Sequence, residues 1–353
     1  MNLDDLDSFK SLDPQNMLAE IQGLPNQLKT AWELGQRMPL PKADRIDRVV
    51  IAGMGGSAIG ADLLASYAAS SCRIPVIVHR DYGLPDWARG RETLLIVSSH
   101  SGNTEETLDS LETGLQNQCR VMALSTGGIL ARRAAEDRIP LWQFDHPGQP
   151  RAAVGFSFGL LLAAFARLGL IPDPQAQLEE ALATLQKQQE SLLPRVRAVN
   201  NPAKRMAGQL VGHWVNIFGS GLLSSVARRW KTQINEIAKA GASFEVLPEA
   251  DHNTLAGMPN PPDVLPRTYS IFLRAPSDHP RNRLRLELTK QGFMLEGLST
   301  DFYDAQGESP LAHIWTTLHF GDFTAYYLAM AYGTDPSPVL ALEELKAAMK
   351  ARQ

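Results

Sequence analysis

Cysteine is nearly absent. Cys72 and Cys119 are the only two among 353 residues, both in apolar or mixed surroundings. So few thiols exclude a disulfide framework and a cysteine-built zinc site, and both are read as packing residues. Histidines show no metal pattern either. His313 and His319, six apart, would be turned about 240° from each other on a helix rather than sharing a face. No other group of His, Cys and carboxylate has ligand spacing, so neither metal nor cofactor is expected. Charge of one sign is lacking too: 34 Lys and Arg against 38 Asp and Glu give a net −4. With no basic block, a nucleic-acid partner is not expected. The longest apolar stretch, Leu160 to Phe165, falls far short of the ~20 residues of a membrane span. The first residues, Met1-Asn2-Leu3-Asp4-Asp5, are acidic where a secretory signal would be basic and then apolar. A cytoplasmic protein with no membrane partner is the expectation.

What is present is a hydroxyl-rich turn. Leu94-Leu95-Ile96-Val97 reads as a buried strand, and Leu108, Leu111 and Leu115 have helical spacing. Between them lies Ser98-Ser99-His100-Ser101-Gly102-Asn103-Thr104-Glu105. One hydroxyl would suffice to cap the helix. Here Ser99, Ser101 and Thr104 stand together, with Gly102 to let the backbone approach a guest, at a helix N-terminus suited to anions. Phosphate fits best: four charge-assisted hydrogen bonds at ~1.5 kcal/mol each total about 6 kcal/mol, a dissociation constant of roughly tens of micromolar. That range suits a metabolite. Of His79, His100 and His213, read as packing or hydrogen-bonding residues, only His100 lies where it could touch the phosphate.

A second turn precedes it. Arg48-Val49-Val50-Ile51-Ala52 leads into Gly53-Met54-Gly55-Gly56-Ser57-Ala58-Ile59-Gly60. The glycine spacing is not the dinucleotide fingerprint, and no Gly-Lys-Ser/Thr follows to make a P-loop. Ser57 is the candidate ligand contact, while Gly60 serves close helix-strand packing as readily as binding.

The length suggests two domains at about 150 residues each. Residues 1–45 read as a helical leader and 46–154 as an alternating strand-helix domain, which implies a parallel sheet covered on both faces. Residues 155–205 read as a helical bridge broken at Ile171-Pro172-Asp173-Pro174. From 206 to 335 the pattern repeats: His213 to Phe218 runs into Gly219-Ser220-Gly221, and Thr268 to Leu273 into Arg274-Ala275-Pro276-Ser277, echoing both earlier turns. The echo has lost most of its hydroxyls, which assigns the phosphate to the first copy. Residues 336–353 form a terminal helix. The aromatics Phe320, Phe323, Tyr326 and Tyr327 fit a buried helix face.

The paired GMGGS and SSHSGNT turns resemble the phosphate-binding signature of the sugar isomerase (SIS) domain. Lys231-Thr232-Gln233-Ile234-Asn235-Glu236 and Leu247-Pro248-Glu249-Ala250-Asp251-His252-Asn253 narrow the likeness to the bifunctional phosphoglucose/phosphomannose isomerases. Four motifs in order, from Arg48 to Lys346, carry it. The resemblance implies two SIS-type subdomains, each a doubly wound, flavodoxin-like α/β sheet. It also implies an aldose-ketose isomerase acting on glucose 6-phosphate, mannose 6-phosphate and fructose 6-phosphate through an enediolate. Gly55, Gly56, Ser57, Ser99, Ser101 and Thr104 would hold the phosphate. Glu236 matches the family's catalytic base, although the residues alone equally allow a surface ion pair with Lys239. Arg151 matches the arginine that stabilises the enediolate, where the residue alone could be a solvated helix-start arginine. His252 matches the ring-opening histidine, which related enzymes supply from a neighbouring subunit, so a homodimer is implied. Lys346 matches a near-terminal active-site lysine. A family threonine tied to acceptance of the mannose epimer aligns with Thr334 or Ser337. At His100 the family commonly has tyrosine. Two other readings remain: a SIS-type isomerase of another sugar phosphate, and a non-catalytic sugar-phosphate regulator, which would ordinarily carry an appended module.

Overall fold

The computed structural model describes residues 2–42 and 45–352. The chain begins with three short helices, α1 (Leu6–Leu12), α2 (Met17–Gln22) and α3 (Leu24–Gly35). Each turns an apolar stripe inward, so Phe9, Met17, Ile21, Leu28 and Ala31 are buried.

The first sheet follows as β1 (Arg48–Ala52), α4 (Gly55–Ala68), β2 (Val76–His79), β3 (Thr93–Ser98), α5 (Glu105–Gln116), β4 (Arg120–Ser125), α6 (Gly128–Glu136) and β5 (Leu141–Gln143). All its pairings are parallel, in the order β2-β1-β3-β4-β5. Rows such as Val49-Val50-Ile51 and Leu94-Leu95-Ile96-Val97 are apolar without alternation because helices cover both faces. Every residue of β3 is buried. The connection out of β1 runs to one side and the connection into β3 to the other. The crevice between their C-terminal ends is therefore the topological switch point, where ligands of such sheets sit.

The helical bridge is α7 (Val154–Arg167) and α8 (Gln175–Leu192), on either side of the anticipated proline break. It is followed by α9 (Pro202–Leu210), which the periodicity did not suggest. Its start is specified locally: the Asn201 side chain accepts from the N–H groups of Ala203 and Lys204, and Pro202 occupies the first turn.

The second sheet comprises β6 (Trp214–Ser220), α10 (Ser224–Glu236), β7 (Ala242–Leu247), β8 (Thr268–Arg274), α11 (Pro280–Leu295) and β9 (Ser299–Asp304), parallel in the order β7-β6-β8-β9. Its centre repeats the arrangement of the first, with β6 and β8 in the places of β1 and β3. The fold is thus α/β with two parallel sheets flanked by helices, as the resemblance implied. Between the sheets runs α12 (Pro310–Tyr332), buried from Leu311 to Met330 and packed on α8, α9 and α10. Its polar residues are served inside the helix: Thr316, Thr317 and Thr324 donate to the carbonyls of Ala312, His313 and Phe320. One apolar cluster runs from Phe9 through both sheets to Met330. At about 1.5–3 kcal/mol for each large side chain buried, it is the main force holding the leader helices and both sheets together. The last helix, α13 (Leu340–Lys350), lies exposed.

Candidate active site

Two helix N-termini meet at the first switch point. α4 begins with Gly55 and Gly56, and no side chain caps it. A Cβ at Gly56 would overlap the carbonyl of Pro150, so only glycine lets the 150–152 turn pass this close. α5 begins after Thr104, whose hydroxyl does not cap the helix. Instead its Oγ1 lies 2.9 Å from Ser99 Oγ. The ordinary cap is therefore not what these hydroxyls form. Ser99 Oγ accepts from Gly102 N–H at 3.1 Å, Ser101 Oγ from Asn103 N–H at 3.2 Å, and Ser57 Oγ from His100 N–H at 3.2 Å. Backbone donors occupy lone pairs on these oxygens, which leaves the hydroxyl protons of Ser57 and Ser101 to be donated to a guest. Gly102, at φ +68° with its Cα packed on the carbonyl of Gly127, closes the turn.

Beside this crevice lies a cavity of about 260 Å³ between the two halves of the chain. The first half supplies Gly55, Gly56, Ile59, Arg80 and Arg151, and the second supplies Arg228, Arg229, Lys231, Thr232, Glu236 and Phe244. Five cationic side chains surround one carboxylate, so the cavity suits an anionic guest.

Glu236 ends α10. Its carboxylate is 28% exposed and lies 3.8 Å from Arg151 Nη1. Lys239 does not pair with that carboxylate. Its Nζ donates to the Glu236 backbone carbonyl at 2.6 Å and to Pro336 O at 3.2 Å. Burial and then the neighbouring Arg151 guanidinium pull its pKa down to about 8. Arg151, in the short 3₁₀ turn Pro150–Ala152, is only 5% exposed, so it is not a solvated helix-start residue. Its Nη2 donates to Pro336 O at 2.9 Å and to Ser337 O. Its own carbonyl accepts from Arg229 Nη1 at 2.8 Å. Arg229 is fixed in turn by a bidentate pair with Asp322, at 3.1 and 2.7 Å. Burial lowers the pKa of Arg151, an effect offset by Glu236 and reinforced by Arg229. A guanidinium titrates so far above neutral that it still stays charged.

Residues 199–349 match the family model of the bacterial phospho-glucose isomerase C-terminal SIS domain. The bifunctional phosphoglucose/phosphomannose isomerase of Caldicellulosiruptor bescii is 38% identical over 334 residues, 94% of this chain and 98% of that protein. The chain belongs to the bifunctional phosphoglucose/phosphomannose isomerase family. The Aquifex aeolicus member is 32% identical over 86% of this chain and 90% of its own. Among solved structures, a glucose-6-phosphate isomerase like protein from Thermus thermophilus shares the fold with a TM-score of 0.63. It is 20% identical and covers 96% of this chain and 99% of that one.

Within a single chain the anticipated site residues separate into two groups. Gly55, Gly56, Arg151 and Glu236 line the cavity, with Ser57, Ser99, Ser101 and Thr104 in the adjoining turns. His252, in the short turn Glu249–His252, and Lys346, on α13, are exposed and do not line it. Ser337 rather than Thr334 adjoins Arg151. Its carbonyl accepts from that guanidinium, its Oγ is buried without a partner, and Thr334 instead closes the end of α12 on Ala329 O.

Sequence reading missed Arg80, Arg228 and Arg229. Arg80 and Arg228 reach the same Asp62 oxygen from opposite halves of the chain, the latter at 3.6 Å, and Arg228 lies over the Phe244 ring. Arg229 pairs with a residue 93 positions away. The one local signal was the run Arg228-Arg229-Trp230, directly ahead of the recognised Lys231-to-Glu236 motif.

Proposed function

We propose that this chain interconverts glucose 6-phosphate and mannose 6-phosphate with fructose 6-phosphate through an enediolate, without metal or cofactor. The observation that carries this reading is the Glu236 carboxylate 3.8 Å from the buried Arg151, in a cavity whose lining includes Gly55 and Gly56 at the start of α4. The phosphate takes the hydroxyls of Ser57, Ser99, Ser101 and Thr104 and the amides of Gly55 and Gly56. The open-chain sugar then extends into the cavity. Glu236 removes the proton from one of C1 and C2 and returns it to the other, while Arg151 holds the charge that develops on the enediolate oxygen. Arg229, braced by Asp322, fixes the Arg151 backbone so that the guanidinium needs no reorganisation. A positioned base of this kind contributes about 10²–10⁴-fold.

His252 opens the sugar ring from the neighbouring copy of a homodimer, and Lys346 belongs to the same assembled site. Their exposure in the single chain, away from the cavity, is consistent with completion by a second copy. The two epimers differ in the face of the enediol that receives the proton. Of Thr334 and Ser337, the second is favoured for the position that serves the mannose epimer: its carbonyl accepts from Arg151 and its buried hydroxyl has no partner.

Fructose 6-phosphate in heavy water, followed by proton NMR, tests the reading. Both aldose phosphates carrying deuterium at C2, with the signal lost in Glu236→Gln, is the expected result. Tight binding without exchange would instead favour a non-catalytic regulator, and exchange only with another sugar phosphate would change the substrate.

A further inference from the structure

Behind the serine turn lies a hydrogen-bonded chain that the isomerase reading does not use. His146 Nε2 is 3.0 Å from Glu20 Oε2 on α2, and His146 Nδ1 is 3.0 Å from His100 Nε2. The protons on this chain can be assigned. An ionised carboxylate only accepts, so His146 carries its proton on Nε2. In the neutral ring Nδ1 is then bare and accepts from His100 Nε2–H. The His146 side chain is only 6% exposed, and the stacked rings of Phe144 and Phe156 lie 6.0 Å from His100 and 5.9 Å from His146 respectively. Burial, then the neighbouring His146, pushes the His100 pKa down to about 4, which keeps that ring neutral.

His100 is tied on every side. Its ring is held through His146 to α2. Its N–H holds Ser57 Oγ at the start of α4, and its carbonyl accepts from Thr126 N–H at 3.0 Å and Thr126 Oγ1 at 2.7 Å. It sits between Ser99 and Ser101, so whatever fixes its ring and peptide also fixes where those two hydroxyls point.

We infer that Glu20, His146 and His100 form a positioning relay for the phosphate site, through which a carboxylate on the N-terminal helices sets the geometry of the hydroxyl turn. Glu20 selects the His146 tautomer, that tautomer accepts from His100, and His100 presents the serines preorganised for phosphate. The relay rests on the phosphate placement proposed above and adds α2 to it. Loss of preorganisation weakens binding rather than chemistry.

The test uses the full chain and calorimetric binding of inorganic phosphate and fructose 6-phosphate, beside isomerase kinetics. Glu20→Ala and His146→Phe should each raise both dissociation constants about tenfold, and KM in step, while kcat stays within about twofold. Glu20→Gln keeps an acceptor for Nε2–H and should recover most of the affinity. In ¹⁵N NMR, His146 should be the Nε2–H tautomer in the wild type and in Glu20→Gln, and a mixture in Glu20→Ala. His100→Phe, which keeps a ring but no donor, should weaken binding as His146→Phe does, so the relay is still tested when one of the two folds poorly. Unchanged binding in Glu20→Ala, equal loss in Glu20→Gln, or a fall in kcat at constant affinity would overturn the relay. Binding is read without turnover, so an inert wild type that still binds phosphate would sink the isomerase reading alone.

Discussion

At the end of β3 the backbone turns with Gly102 N–H on Ser99 O at 3.2 Å, and at the end of β8 the matching turn closes with Asp278 N–H on Ala275 O at 3.1 Å. Both turns face the end of the strand beside them, β1 or β6, across a switch point. The contents differ. In the first crevice the side chains are hydroxyls, and those of Ser57 and Ser101 have unspent protons. In the second, the Asp278 carboxylate accepts from Ala275 N–H at 2.8 Å and from the Ser220 hydroxyl at 3.3 Å. The chain's own anion thus satisfies donors of the kind that the first crevice leaves for a guest. Asp278 is buried, and that burial raises its pKa, so this internal occupancy carries a desolvation cost. On the proposed function a repeated fold divides labour: the first sheet is assigned the phosphate, while the second, with its crevice filled, brings Glu236 to the cavity on α10.

That division can be broken from either side. Glu236→Gln should lower kcat by about 10²–10⁴-fold with a smaller change in KM, measured by the heavy-water exchange, because it removes the base and leaves the phosphate crevice intact. Ser57→Asp would place a fixed carboxylate in the first crevice, as Asp278 does in the second. It should weaken fructose 6-phosphate binding by at least about 100-fold while preserving the fold, checked by calorimetry beside circular dichroism.

Much of this was legible in the sequence where the signal is local. Both first-sheet turns follow uniformly apolar strands and precede helical spacing, so Ser57, Ser99, Ser101 and Thr104 could be read as one cluster. The edge strands β7 and β9 escaped notice because Ala-Ser-Phe-Glu-Val-Leu and Ser-Thr-Asp-Phe-Tyr-Asp mix polar and apolar residues on half-buried faces. The ion pair of Arg229 with Asp322 and the Glu20–His146–His100 chain escaped for another reason. Each joins residues tens to more than a hundred positions apart, and no periodicity encodes such pairings. Asp278 reads as an ordinary turn residue, although the loss of hydroxyls around it is visible.

Smaller effects sharpen the comparison. Asp278→Ala should cost about 1–3 kcal/mol in denaturant unfolding, because Ala275 N–H and Ser220 Oγ lose their acceptor. Asp278→Asn keeps an acceptor, sheds the buried charge, and should remain close to the wild type. The first crevice carries its own pH signature. His100 faces His146 and Glu20 and has a folded pKa of about 4 against an ordinary 6.5. Between those values the unfolded chain binds more protons than the folded one, so stability falls as pH drops from about 6.5 to about 4. Unfolding curves of the wild type and His100→Phe should converge across that window as the wild type loses this contribution.

The most direct measurement is a crystal structure with glucose 6-phosphate bound to Glu236→Gln. The account predicts the phosphorus among Ser57, Ser99, Ser101 and Thr104, with C1 and C2 beside residue 236 and no phosphate near Asp278. A phosphate at the Ser220–Asp278 turn, or a sugar lying away from residue 236, would contradict it.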